Sequence, residues 1–130
     1  MNYFAYASNL NQKQMRERCP DSKPLFVATL PNYQLVFLGW SREWRGATAS
    51  IRLFRGEKVL GAVYDVSAQC LRQLDKYESS YSRLKVTVFN EDNEPVEAIA
   101  YVKGSQLEEG KPSATYLAVV QQGYRDWAIV

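Results

Sequence analysis

Tyr3-Phe4-Ala5-Tyr6-Ala7-Ser8-Asn9-Leu10 is the stretch whose reading decides the fold. Its first four residues read as a strand, Ala7-Ser8-Asn9 end that strand in small hydrogen-bonding residues, and Leu10 opens a helix-like segment. A strand that stops this way ahead of a helix leaves backbone N–H groups without partners, a ready cradle for an anion or oxyanion. The same residues also suit an ordinary strand-to-helix turn, so the cradle needs support from elsewhere in the chain.

Outward from this stretch, Asn11 to Arg18 reads as a short polar helix capped by Asn11, with Pro20 beyond its end. The chain then becomes strand-rich. Segments 25–30 and 33–39 are separated by Pro31-Asn32, and segments 47–54 and 58–65 by Arg55-Gly56-Glu57, spacings that predict hairpins or tight turns. A second helix is predicted from Ser67. A further strand pair, 81–89 and 96–103, flanks a turn whose acidic Glu91, Asp92 and Glu94 suit a solvated hairpin tip better than a metal site. The last helix is predicted from Pro112-Ser113 towards Trp127, with Tyr116, Val120 and Tyr124 on one face. About seven strands with two or three helices, lacking regular βαβ alternation, predict an α+β fold built on a mainly antiparallel, barrel-like mixed sheet.

Composition narrows the chemistry. The 130 residues, 46% hydrophobic and 23% charged, suit one domain spanning 1–130, and a formal net charge of +2 gives no ground for a nucleic-acid partner. Arg42, Arg45, Arg52 and Arg55 with Trp40 and Trp44 invite a nucleic-acid reading, yet they are scattered over two segments. No run reaches membrane-spanning length and no leader is recognisable, so the expectation is a soluble cytoplasmic protein with no membrane partner. Cys19 and Cys70 are far apart and lack CxxC spacing, which predicts two reduced thiols. The chain contains no histidine, which removes Ser-His-Asp and Cys-His catalysis and the usual neutral-pH proton shuttle. Neither a metal nor a cofactor is called for.

One residue stands out against this background. In the helix from Ser67, Leu71 and Leu74 mark a buried stripe, and Glu78 continues it. Desolvation there would raise its pKa and make it a stronger base than an exposed glutamate. If the helix ended at Tyr77, Glu78 would instead turn to solvent. Asp75 beside the stripe suits a structural hydrogen bond. Without histidine or metal, a buried glutamate can still serve a reaction whose substrate carries its own nucleophile, and intramolecular acyl transfer fits that requirement.

Taken in order, Tyr6-Ala7-Ser8-Asn9-Leu10, Trp44 to Ile51, Gly61-Ala62-Val63-Tyr64, Leu74-Asp75-Lys76-Tyr77-Glu78, Tyr81, Tyr101 and Pro112 to Tyr116 resemble the γ-glutamylcyclotransferase (AIG2-like) family across nearly the whole chain. The resemblance implies cyclisation of a γ-glutamyl group to 5-oxoproline with release of an amine, Glu78 acting as general base and acid. It also implies a small-molecule γ-glutamyl substrate held by Tyr6, Ala7, Ser8, Asn9 and Leu10 of the loop and by Tyr101 and Tyr116. A non-catalytic module binding a γ-glutamyl or carboxylate ligand is the alternative, and a homodimer is left open. Three departures from the family pattern are visible: Ala7 stands at its loop glycine, only Ser79-Ser80 follow Glu78, and Gly123 to Trp127 replace its C-terminal pattern. A positive φ at position 7 would strain alanine.

Overall fold

A computed structural model describes residues 1–78, 80–104 and 107–129. Ser79, part of the Ser79-Ser80 segment, lies outside the described residues. The order of elements is β1 (Asn2–Ala5), a 3₁₀ turn (Ser8–Leu10), α1 (Gln12–Arg18), β2 (Lys23–Ser41), β3 (Gly46–Asp65), α2 (Ala68–Tyr77), β4 (Ser82–Asn90), β5 (Pro95–Val102) and α3 (Ala114–Asp126). The strands close into a barrel in the order β1-β3-β2-β4-β5. All pairings are antiparallel except β1 with β5, which run parallel at Tyr3↔Ile99. This is the α+β, barrel-like mixed sheet expected from the sequence.

Among the described residues the strand count is corrected from about seven to five. Pro31-Asn32 and Arg55-Gly56-Glu57 do not reverse the chain; they lie inside two long strands that form a single hairpin, paired from Lys23↔Asp65 to Ser41↔Gly46. Its register slips between Pro31 and Tyr33. There Asn32 (φ 63°) and Gly56 (φ 91°) adopt left-handed backbone, and the Gly56 N–H donates to Asn32 Oδ1 at 3.1 Å. Turn-forming residues therefore produce an irregularity that bends the ribbon, as bulges do. By contrast, β4 and β5 form the expected hairpin. Its tip is held by Asn90, whose Oδ1 accepts from the N–H groups of Asp92 (3.0 Å) and Glu94 (2.9 Å).

Each helix begins at a side-chain cap. Asn11 accepts from Gln14 N–H (3.0 Å), Ser67 from Cys70 N–H (3.0 Å) and Ser113 from Tyr116 N–H (3.2 Å), satisfying donors that a helix start leaves open. No described helix is long and apolar enough to cross a membrane. β1 is buried on both faces: Phe4 and Tyr6 join the cluster that includes Val63, Val88 and Ala100, whereas Tyr3 and Ala5 face a second cluster with Tyr64, Leu71 and Leu74. Gly61 makes this packing possible, since a Cβ there would lie 2.3 Å from the Ala5 carbonyl oxygen.

The two cysteines are also corrected. Cys19, at the end of α1, and Cys70, in the first turn of α2, have Cα atoms 5.3 Å apart and form a disulfide. Their separation of 51 residues gave no hint of this, because tertiary packing of α1 on α2 sets the distance. A crosslink closing a loop of this size stabilises by about 2–4 kcal/mol. Reduction is therefore expected to lower Tm by about 10 °C, measurable by thermal melts with and without dithiothreitol and absent in Cys19→Ser.

Candidate active site

The loop after β1 is fixed from behind. Tyr64 Oη donates to the Asn9 carbonyl (2.8 Å), and Trp127 Nε1 donates to the Leu10 carbonyl (2.9 Å). α3 presses close because position 123 is glycine: a Cβ there would stand 2.6 Å from both Asn11 N and Leu10 Cβ. The Gly123–Trp127 segment thus braces the loop. Ala7 has φ −139°, so the positive φ that would have strained alanine is not adopted there. Leu10 and Asn11 N–H close the 3₁₀ turn onto Ala7 and Ser8 carbonyls, whereas the N–H groups of Ala7, Ser8 and Asn9 have no hydrogen-bond acceptor among the described residues.

α2 ends at Tyr77, yet Glu78 does not turn to solvent. Its backbone N–H still caps the helix by donating to the Leu74 carbonyl (2.8 Å), and its side chain, 15% exposed, enters a cleft of about 470 Å³. Asn9 holds it from one side: Nδ2 donates to Tyr3 Oη (2.9 Å) and makes a long contact to Glu78 Oε1 (3.4 Å), while Oδ1 accepts from Gln14 and from Arg18 Nη1 (both 3.1 Å). Arg18 Nη1 lies 3.5 Å from the same carboxylate oxygen, and its guanidinium stacks 4.7 Å from the Tyr77 ring centroid. Burial raises the Glu78 pKa above the ordinary glutamate value and Glu43 adds to the rise, while Arg18, Lys103 and Asn9 oppose it.

The residues expected at the site do not all play the same part. Tyr6, Ala7, Ser8, Asn9, Glu78, Tyr101 and Tyr116 converge on this cleft. Leu10 does not line it; fully buried, it packs in the second core cluster behind the loop. The Asn9 side chain is engaged on both its donor and acceptor sides, which leaves its backbone N–H for a ligand. Tyr101 Oη donates to Asp75 Oδ1 (2.6 Å) and lies 3.1 Å from the Leu71 carbonyl, so its hydroxyl anchors α2. Asp75 is in turn gripped by Arg83 (3.0 and 2.7 Å), which holds its pKa below the usual carboxylate range. Tyr6 Oη donates to the Tyr101 carbonyl. Tyr116 Oη accepts from Ala49 N–H (2.9 Å), and its own proton has no acceptor among the described residues.

Several cleft residues were not among those expected at the site. Arg18 looked like one charge in a polar helix, Tyr3 like a strand residue, and Trp44 and Arg42 like scattered surface positions. In the structure the β2–β3 hairpin tip brings Trp40, Arg42 and Trp44 to the cleft, with Trp44 set edge-on to Tyr116 at 5.2 Å between ring centroids. The i+4 spacing of Gln14 and Arg18 on one helix face was the available signal for Arg18. Tyr81 also lines the cleft, its hydroxyl donating to the Ala49 carbonyl (2.6 Å) and accepting from Thr48 (2.8 Å).

Known proteins share this architecture. Residues 3–125 match the family described as "Gamma-glutamyl cyclotransferase, AIG2-like", and the chain belongs to that family. It is 30% identical to the γ-glutamylcyclotransferase of Bos taurus, over 95% of this chain and 70% of that protein, and 27% identical to that of Homo sapiens over the same shares. Among solved structures, one titled "Gamma-glutamyl cyclotransferase" superposes with a TM-score of 0.95 at 26% identity, covering 99% of this chain and 80% of that one. The fold also resembles YkqA from Bacillus subtilis, with a TM-score of 0.80 at 23% identity, covering 98% of this chain and 49% of that one.

The raised Glu78 pKa has a consequence for stability. The native state holds the Glu78 proton to higher pH than the unfolded chain does, so this group's contribution is complete below the unfolded value of about 4.3 and declines as pH rises through the native pKa. Glutamine in its place carries no such penalty. Glu78→Gln is therefore expected to melt a few degrees above the wild type at pH 7–8, with the difference closing towards pH 4. Melts across that range check it; a Glu78→Gln protein less stable at pH 7 would show that Arg18 attraction outweighs desolvation.

Proposed function

We propose that the protein cyclises the γ-glutamyl group of a small γ-glutamyl amine or amino acid to 5-oxoproline. The observation that carries this reading is a largely buried carboxylate, Glu78, sharing one cleft with a loop whose Ala7, Ser8 and Asn9 N–H groups lack acceptors among the described residues. The family membership and the named relatives support it.

In this reading the α-nitrogen attacks its own γ-carbonyl carbon and Glu78 takes the proton it gives up. The loop N–H groups hold the oxygen as it gains charge, the role that fixed backbone dipoles perform best in a site shielded from water. Collapse breaks the bond to the leaving nitrogen, and Glu78 returns the proton to that nitrogen. Water is not consumed. Because nucleophile and electrophile belong to one molecule, positioning replaces most of the machinery that a histidine or a metal would supply.

Incubation with a panel of γ-glutamyl amino acids and γ-glutamyl amines, followed by quantitation of 5-oxoproline, tests the proposal. Turnover by the wild type is expected, falling by about 10²–10⁴-fold in Glu78→Gln. Binding of these compounds without any turnover would sink cyclisation and leave a ligand-binding module on the same fold.

A further inference from the structure

We propose that Arg18 is the anchor for the α-carboxylate of the γ-glutamyl ligand, which leaves the loop N–H groups to the γ-carbonyl oxygen. The inference rests on the γ-glutamyl reading above. In such a ligand the α-carboxylate and the α-nitrogen that Glu78 deprotonates are attached to the same carbon. A carboxylate partner must therefore stand next to Glu78.

Among the described residues Arg18 is the cation in contact with that side chain, at 3.5 Å. Lys76 and Arg42 reach the cleft from exposed positions, and Lys103 is engaged with the Leu38 carbonyl (3.0 Å). The guanidinium is also half used. Nη1 serves Asn9 and Glu78, whereas the ion-pair contact of Nη2 is Glu43 Oε1 at 3.6 Å, too long for a hydrogen bond. Glu43 is itself 62% exposed on the hairpin tip, so an entering carboxylate displaces a loose, solvated partner.

No buried side-chain polar atom among the described residues is left without a hydrogen bond, so Nη2, which makes none, is not fully enclosed, and Arg18 and its Nη2 neighbour Glu43 both line the cleft. The side chain as a whole is only 8% exposed, and its ring stacking on Tyr77 holds it in place. A guanidinium presented in this way forms charge-assisted hydrogen bonds with carboxylates, at little ordering cost because the fork is already set.

The test is calorimetric titration of 5-oxoproline, which keeps the carboxylate, and of its carboxamide, which does not, into wild type, Arg18→Met and Arg18→Lys. The wild type is expected to prefer the acid by about 10- to 100-fold. Arg18→Met should lose that preference by weakening acid binding alone, with amide affinity within about twofold of wild type. Equal loss of both ligands would make Arg18 only a support for Glu78 and overturn the anchor, as would a preference that survives or a wild type that binds neither. Should Arg18→Met fail to fold, Arg18→Lys decides: undiminished preference there also overturns it. Arg18-dependent acid binding without 5-oxoproline formation in the turnover assay would keep the anchor and sink cyclisation.

Discussion

A carboxylate withheld from water, and only partly compensated, is the constraint on which the rest of the site depends. An unpaired buried ion costs several kcal/mol, and a close bidentate ion pair would make Glu78 too weak a base. The structure lies between these limits: Arg18 and Asn9 both reach the same oxygen at long range, 3.5 and 3.4 Å. The loop, α1 and the residue that caps α2 each contribute one member of this cluster. None could move by one helical turn without leaving Glu78 stranded or over-paired.

The fold was legible wherever short-range chemistry decides the outcome. Asn11, Ser67 and Ser113 announce the helix starts, and they cap in the expected manner. Pro31-Asn32 and Arg55-Gly56-Glu57 misled because the same left-handed residues serve a reversal and a bulge alike. Only the partner strand distinguishes the two, and that partner lies up to 42 positions away in the β2–β3 hairpin, as at Lys23↔Asp65. The disulfide was hidden for the same reason.

Glu78 was legible as a charged residue on an apolar stripe, although the path to the cleft differs from a simple continuation of the helix. α2 stops at Tyr77, and what turns Glu78 inward is its backbone bond to Leu74 together with Asn9 and Arg18. The tyrosines were only partly legible. Nine tyrosines give no ranking by composition. Hydrogen bonding separates those whose hydroxyls are engaged within the protein, Tyr6 and Tyr101, from Tyr116, which accepts a bond and retains a proton to donate.

The disulfide gives the cluster its rigidity. Cys19 directly follows Arg18, and Cys70 opens the helix that Glu78 closes. Helix α2 is thus tied to α1 at both ends, covalently through Cys19–Cys70 and at the other end through Arg18 over Tyr77 and beside Glu78. With 1.5 Å of rise per residue, α2 is a strut of about 15 Å whose length is fixed by its own backbone hydrogen bonds. Strut, crosslink and arginine side chain close a triangle. A guanidinium held in such a frame keeps its distance from the carboxylate without needing a tight bond to it, which is how the pair can be close enough to share a ligand yet loose enough to leave Glu78 basic.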